Sequence, residues 1–201
     1  MRNRAVFLDR DGVLNDLVYN EEEGQIGSPL STKQLHVFPY AGGVVKAIQD
    51  LGFKAVVISN QPGVAKKQFS YQEFLRMKHK MEHELAKQGC SLDGEYYCLH
   101  HPNGLIGKYN IKCNCRKPKP GLLLKASEEL NIDLKDSFLV GDSLVDIKAG
   151  RAAGCRTILI SHMTDFLNRM MEKEDAFPDQ MVGSFKDVPR LLQTLKLAPQ
   201  P

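Results

Sequence analysis

The chain has 201 residues, 42% hydrophobic and 25% charged, which is enough for one well-buried core and too few for a second domain of ordinary size. A formal net charge of +3 argues against a nucleic-acid or membrane binder, though local basic clusters remain able to attract a small anion. No stretch approaches the roughly 18 apolar residues of a membrane-spanning helix, and MRNRAVFLDRDG breaks its short apolar run with charge, unlike a signal peptide, so a cytoplasmic chain is expected.

Ala5 to Leu8 is a short apolar run ending in DRDG, which predicts a buried parallel strand delivering carboxylates to its C-terminal end. Leu14 to Pro39 is polar and irregular, and too short for a separate cap domain. Val44, Val45, Ile48 and Leu51 predict a helix over Gly42 to Leu51, stopped by Gly52 before a strand over Lys54 to Ser59. A helix over Tyr71 to Lys87 and a strand over Glu95 to Cys98 follow. After a Cys/His loop come a helix from about Pro120 to Leu130, a strand over Phe138 to Val140, a helix over Leu144 to Ala153 and a strand over Arg156 to Ile160.

This alternation predicts an α/β fold over residues 1–160, a three-layer, doubly wound parallel sheet with right-handed crossovers. Residues 161–201 are expected to form a helical extension packed on the same domain, with helices around Asp165 to Lys173 and Val188 to Leu197.

In such a sheet, ligands bind outside the carboxyl ends of the strands. Four strand ends carry suitable chemistry: Asp9 and Asp11, Ser59 and Asn60, Arg116 and Lys117, and Asp142 with Asp146. Carboxylates from two strands form a dense negative cluster that needs a cation, and magnesium, bound through hard oxygen ligands, fits it. Asp9 then suits the nucleophile of a phosphoryl transfer through an aspartyl-phosphate, and Asp11 the group that protonates the leaving oxygen and later takes a proton from water. Ser59, Asn60 and Lys117 would stabilise the phosphoryl oxygens. Singly, Asp11-Gly12 and Pro62-Gly63 read equally as turns and Asp142 as a helix cap; their joint placement at strand ends favours the chemical reading.

Cys98, His100 or His101, Cys113 and Cys115 fall within eighteen residues and supply three sulfurs and one nitrogen for a closed, structural zinc site. Its task would be to pin the loop 98–116 that carries Arg116 and Lys117. Free reduced thiols are the alternative, and Cys90 and Cys155 stand outside the pattern.

DRDG, SNQ, CRKPKPG and GDSLVD, in this order, resemble the four motifs of the haloacid dehalogenase (HAD) superfamily of phosphatases over roughly residues 4–160. The resemblance implies magnesium ligation by Asp9, the backbone carbonyl of Asp11, and Asp142, with Asp146 in support. The Cys/His insertion, with FLDRDGVLN, SNQPGVA, LDGEYYCLHHPNG and CRKPKPGLLL, is similar to that of the bacterial heptose 1,7-bisphosphate phosphatases and the related histidinol-phosphate phosphatases. That likeness implies zinc ligation by Cys98, His100, Cys113 and Cys115, and leaves His101 out.

Asp16 to Tyr19 lie near enough in sequence to Asp9 to contact substrate, and Arg116 suits a bidentate grip on a second phosphate. Ser143 stands where the heptose enzymes tend to carry a phosphate-contacting lysine, and Asp16 to Tyr19 differ from their substrate loop. The expected activity is removal of the C7 phosphate from a heptose 1,7-bisphosphate by a monomer. Histidinol phosphate is the next substrate in order, then a 3′-phosphorylated polynucleotide. A non-catalytic zinc-stabilised binding protein is the reading that intact Asp9 and Asp11 argue against.

Overall fold

The strand β1 (Ala5–Leu8) is buried at every residue, which a parallel strand becomes only when helices cover both faces of its sheet. The computed structural model describes residues 2–21 and 24–197. After β1 come a two-stranded hairpin, β2 (Val18–Asn20) and β3 (Gln25–Gly27), then α1 (Ala41–Asp50), β4 (Lys54–Asn60), α2 (Tyr71–Lys87) and β5 (Gly94–Cys98). The second half adds α3 (Gly121–Glu129), β6 (Phe138–Gly141), α4 (Leu144–Ala153), β7 (Arg156–Ile160), α5 (Asp165–Glu174), β8 (Gln180–Val182) and α6 (Val188–Leu197).

Six strands form one parallel sheet in the order β5-β4-β1-β6-β7-β8. Side chains alternate across it, as the two-residue period of a strand requires. Val6, Leu8, Ala55, Val57 and Val140 enter one core with Val45 and Ile48 of α1, Met77 and Met81 of α2, and Leu192 of α6. Ala5, Phe7, Val56, Ile58 and Leu139 face the other way, onto Leu122, Leu123 and Ala126 of α3 and Ala149 of α4. Helix α2 shows how sequence sets this packing. Ser70 caps it by accepting from the Glu73 N–H at 3.1 Å, and Phe74, Met77, Met81 and Leu85 recur on one buried face. Each such side chain contributes roughly 1.5–3 kcal/mol on burial.

The layered α/β expectation agrees with this architecture, and two elements lie outside it. The segment read as irregular contains the β2–β3 hairpin, paired antiparallel with Tyr19 opposite Ile26. The segment read as helical carries α5 and α6 near the expected positions and also β8, which pairs with β7 through Ile158↔Gln180 and Ile160↔Val182. These strands span three residues each, too few for an alternating pattern to register in sequence.

Candidate active site and metal centre

The chain leaves β1 for β4 and β5 on one side and returns to β6 on the other, which opens a crevice at the carboxyl end of β1. Leu8 is in register with Val57 and with Val140, so Asp9 falls level with Ile58, near the end of β4, and with Gly141, the last residue of β6. Asp9 then meets Asp142 and Asp146, and one carboxylate oxygen from each of the three lies within 4.8 Å of the other two. Gly12 makes this approach feasible. Its φ of +78° lies in the left-handed region, and a Cβ there would collide with the Asp142 carboxylate.

Lys117, 3% exposed, is the cation of the cluster. Its Nζ lies 3.0 Å from Asp9 Oδ1 and 2.5 Å from Asp146 Oδ1, and donates to the Ile58 carbonyl at 2.9 Å. The Asp146 contact is an ion pair without the direction of a hydrogen bond, since that oxygen has no hydrogen-bond donor among the described residues. Burial opposes the charge on Lys117, but Asp146 and Asp9 hold it protonated well above the usual lysine range. Asn60 fixes its backbone reciprocally: the Lys117 N–H donates to Asn60 Oδ1 at 3.0 Å, and Asn60 Nδ2 donates to the Lys117 carbonyl at 3.1 Å.

One buried lysine does not balance three carboxylates. Burial, with Lys117 opposing and Asp146 and Asp11 reinforcing, pushes Asp9 up to about 6. Burial, then Asp9 and Asp146, against Lys117, push Asp142 up to about 7. Asp142 forms no ion pair among the described residues, while the other Asp146 oxygen, Oδ2, accepts from Ser143 Oγ at 2.5 Å and the Ser143 N–H at 3.3 Å. The unmet charge therefore falls between Asp9 and Asp142, a pair of hard oxygen donors that suits magnesium.

The Asp11 side chain turns away from that pair. Its Oδ1 accepts from Arg10 Nε at 2.9 Å and Asn15 Nδ2 at 3.0 Å; its Oδ2 accepts from Arg10 Nη2 at 3.2 Å and Gln61 Nε2 at 2.8 Å. Sequence reasoning assigned no role to Arg10, Asn15 or Gln61, although all three lie in or beside DRDG and SNQ. The signal was their position within the motifs rather than any pattern of charge.

The remaining predicted residues divide. Ser59 is buried and its Oγ accepts from Gln61 Nε2 at 3.2 Å. Asn60 comes to the site, but its amide is spent on the Lys117 backbone. Arg116 is half-buried, its Nη1 3.5 Å from the His100 carbonyl. Ser143 turns its hydroxyl onto Asp146 at the start of α4. Tyr19, exposed on β2, joins Ile26, Gln34, Gln61, Lys66 and Phe69 in lining a cleft of about 660 Å³ between the hairpin and the turn after β4. Asp16 is exposed and does not line that cleft.

Beyond β5, Cys98, His100, Cys113 and Cys115 converge. Two sulfurs bound to one tetrahedral zinc lie about 3.8 Å apart, and a sulfur and a nitrogen about 3.6 Å. Here Cys98 Sγ lies 3.6 Å from Cys113 Sγ and 3.4 Å from Cys115 Sγ, while His100 Nδ1 lies 3.3 Å from Cys115 Sγ and 3.8 Å from Cys98 Sγ. These edges fit zinc, and all five cysteines are free of disulfides. His101 instead accepts the Asn103 N–H at 3.1 Å through Nδ1. The loop is also docked on the turn after β4, where the Leu105 and Ile106 N–H groups donate to the Ala65 carbonyl at 2.7 and 3.2 Å.

The chain is similar to known proteins over nearly its whole length. A HAD-hydrolase-like family model matches residues 114–188. The chain is 37% identical over 200 residues to the D-glycero-β-D-manno-heptose-1,7-bisphosphate 7-phosphatase of Vibrio cholerae, covering 98% of this chain and 100% of that one. It is 38% identical to the enzyme of the same name from Pasteurella multocida, covering 96% and 98%. Among solved structures, the D,D-heptose 1,7-bisphosphate phosphatase of B. bronchiseptica, complexed with magnesium and phosphate, superposes with a TM-score of 0.76 at 25% identity, covering 96% of this chain and 99% of that one. With its carboxylate cluster at the end of β1, its Cys/His loop and near full-length relatives of this kind, the chain is a HAD-type phosphatase and belongs to the family of the D-glycero-β-D-manno-heptose-1,7-bisphosphate 7-phosphatases.

Proposed function

We propose that this phosphatase removes the C7 phosphate of D-glycero-β-D-manno-heptose 1,7-bisphosphate by way of an aspartyl-phosphate on Asp9. The observation that carries the reading is Asp9 itself, at the switch point of the sheet, with Lys117 Nζ 3.0 Å from one oxygen and the unpaired Asp142 beside it. The near full-length likeness to enzymes named for that substrate supports the choice of sugar.

In the first step an Asp9 oxygen attacks phosphorus as the bond to the C7 oxygen breaks, and Asp11 gives that oxygen a proton. In the second step water attacks the same phosphorus, its proton passes to Asp11, and Asp9 is released. Lys117 and the Ser59 hydroxyl supply positive charge and a hydrogen bond to the phosphoryl oxygens, and Asn60 acts by holding Lys117 in place. Asp9, Asp142 and the backbone carbonyl of Asp11 would hold magnesium, which lowers the repulsion between the phosphate dianion and the attacking carboxylate. Arg116 would take the second phosphate, and Tyr19 the sugar side of the cleft. The reduced cysteines suit a cytoplasmic protein, and we assign it as a monomer that requires neither nucleic acid nor membrane.

Phosphate release in magnesium from the β- and α-anomers of the bisphosphate, histidinol phosphate and a 3′-phosphorylated oligonucleotide tests the assignment. The β-bisphosphate should give the highest kcat/KM, and Asp9→Asn should abolish its turnover. No release from either heptose bisphosphate by the wild type would overturn the assignment.

A further inference from the structure

Arg10 is wholly buried, a rare state for an arginine, and its Nη1 has no hydrogen-bond partner among the described residues. Burying a guanidinium is costly unless it is paired, and the carboxylate it bonds is that of its neighbour Asp11. The pairing engages both Asp11 oxygens, with Nε on Oδ1 at 2.9 Å and Nη2 on Oδ2 at 3.2 Å, so it fixes the plane of the carboxylate as well as its position. An ammonium at the same place would give a point contact and leave the plane free to turn.

The other two donors differ in how firmly they are held. Asn15 is fully buried and its Nδ2 divides between Asp11 Oδ1 at 3.0 Å and the Asp16 carbonyl at 2.8 Å. Gln61 lines the cleft, and its Nε2 already has a second acceptor in Ser59 Oγ at 3.2 Å. Gln61, which comes from the cleft, is thus the donor that Asp11 can give up at Oδ2, while Arg10 keeps a bond to each oxygen and Asn15 keeps Oδ1.

We propose that Arg10 is a positioning residue for the proton transfer made by Asp11, holding the carboxylate so that Oδ2 faces the leaving oxygen. This rests on the aspartyl-phosphate reading above. The Asp11 carboxyl gives a proton to the ester oxygen as the bond from Asp9 to phosphorus forms and the phosphorus–ester bond breaks, and it takes a proton from the attacking water in the second step. Arg10 touches neither substrate nor phosphorus.

The test is dependence on the leaving group. A sugar alkoxide needs a proton to depart, whereas p-nitrophenolate leaves without one. Arg10→Lys and Arg10→Gln are compared with wild type and with Asp11→Asn on the heptose bisphosphate and on p-nitrophenyl phosphate. The expected result is a loss on the order of 10²-fold for the sugar ester in kcat/KM, which reports formation of the aspartyl-phosphate and not its shared breakdown. The loss on p-nitrophenyl phosphate should be several-fold at most, a skew in the same direction as that of Asp11→Asn, with Arg10→Lys milder than Arg10→Gln. Equal losses on both esters would mean that Arg10 is only structural, and no loss on either would mean that it positions nothing; both outcomes overturn the proposal. Wild-type turnover of the two esters reports separately on the phosphatase reading. Arg10→Lys retains a buried cation for Asp11, so it gives a folded comparison if Arg10→Gln does not.

Discussion

Asp142→Asn should stabilise the magnesium-free protein while destroying its activity. The carboxyl titrates at about 7 in the fold, against an ordinary 3.8, because it is buried beside Asp9 and Asp146. A folded-state pKa raised in this way means that the native state binds more protons than the unfolded chain between about pH 4 and 7, so stability falls as pH rises through that window and stays low above it. Three units correspond to roughly 4 kcal/mol at most, and relaxation around the charge brings the expected gain from asparagine to about 2–4 kcal/mol at pH 8. At pH 5, where the wild-type carboxyl is already protonated in the fold, the gain should shrink to less than half.

For a chain of this size the pH 8 gain is a rise in Tm of roughly 5–10 °C. The assay is thermal unfolding at pH 5 and 8, with the zinc retained and magnesium either absent or saturating. Magnesium should raise the Tm of the wild type more at pH 8 than at pH 5, and should hardly move the variant. A variant that melts lower than wild type at pH 8, or that gains as much from magnesium as wild type does, would refute the charge-repulsion account.

Two further outcomes follow from the same cluster and its supporting loop. Lys117→Met leaves Asp9 and Asp146 buried without their shared cation, and should cost about 3–5 kcal/mol in urea unfolding as well as the activity. Cys113→Ser should lower the zinc content measured by elemental analysis and reduce kcat. Lys117 lies four residues further along the pinned loop, and its aim depends on the Asn60 clamp meeting a fixed backbone.

Much of this could be read from the residues alone, and the gaps have physical causes. AVFL followed by DRDG reads as a buried strand with carboxylates at its end because every side chain in the run is apolar and the change is abrupt. The Cys/His loop is legible because three thiols and an imidazole in so short a span have few other structural uses. Asn60 shows the limit. A polar residue at a strand end reads as a ligand contact, and only the tertiary fold shows its amide bonded to a backbone 57 residues away. Arg10 is hidden for a related reason: in sequence it is one more surface charge, and its burial depends on the direction in which Asp11 turns. Strand β8, with Gln180 and Val182 flanking a methionine, becomes a strand only through the edge that β7 offers it.

The sharing of Lys117 between two carboxylates has a consequence for the reaction cycle. Once Asp9 carries the phosphoryl group, the oxygen that formed the new bond bridges an acyl phosphate and is no longer a full anionic partner, and the Lys117 charge serves the phosphoryl oxygens instead. Asp146, which takes no part in bond making, keeps its contact throughout. It anchors the ammonium while the second partner changes from carboxylate to phosphoryl oxygen, so the lysine need not be repositioned between formation and breakdown of the intermediate.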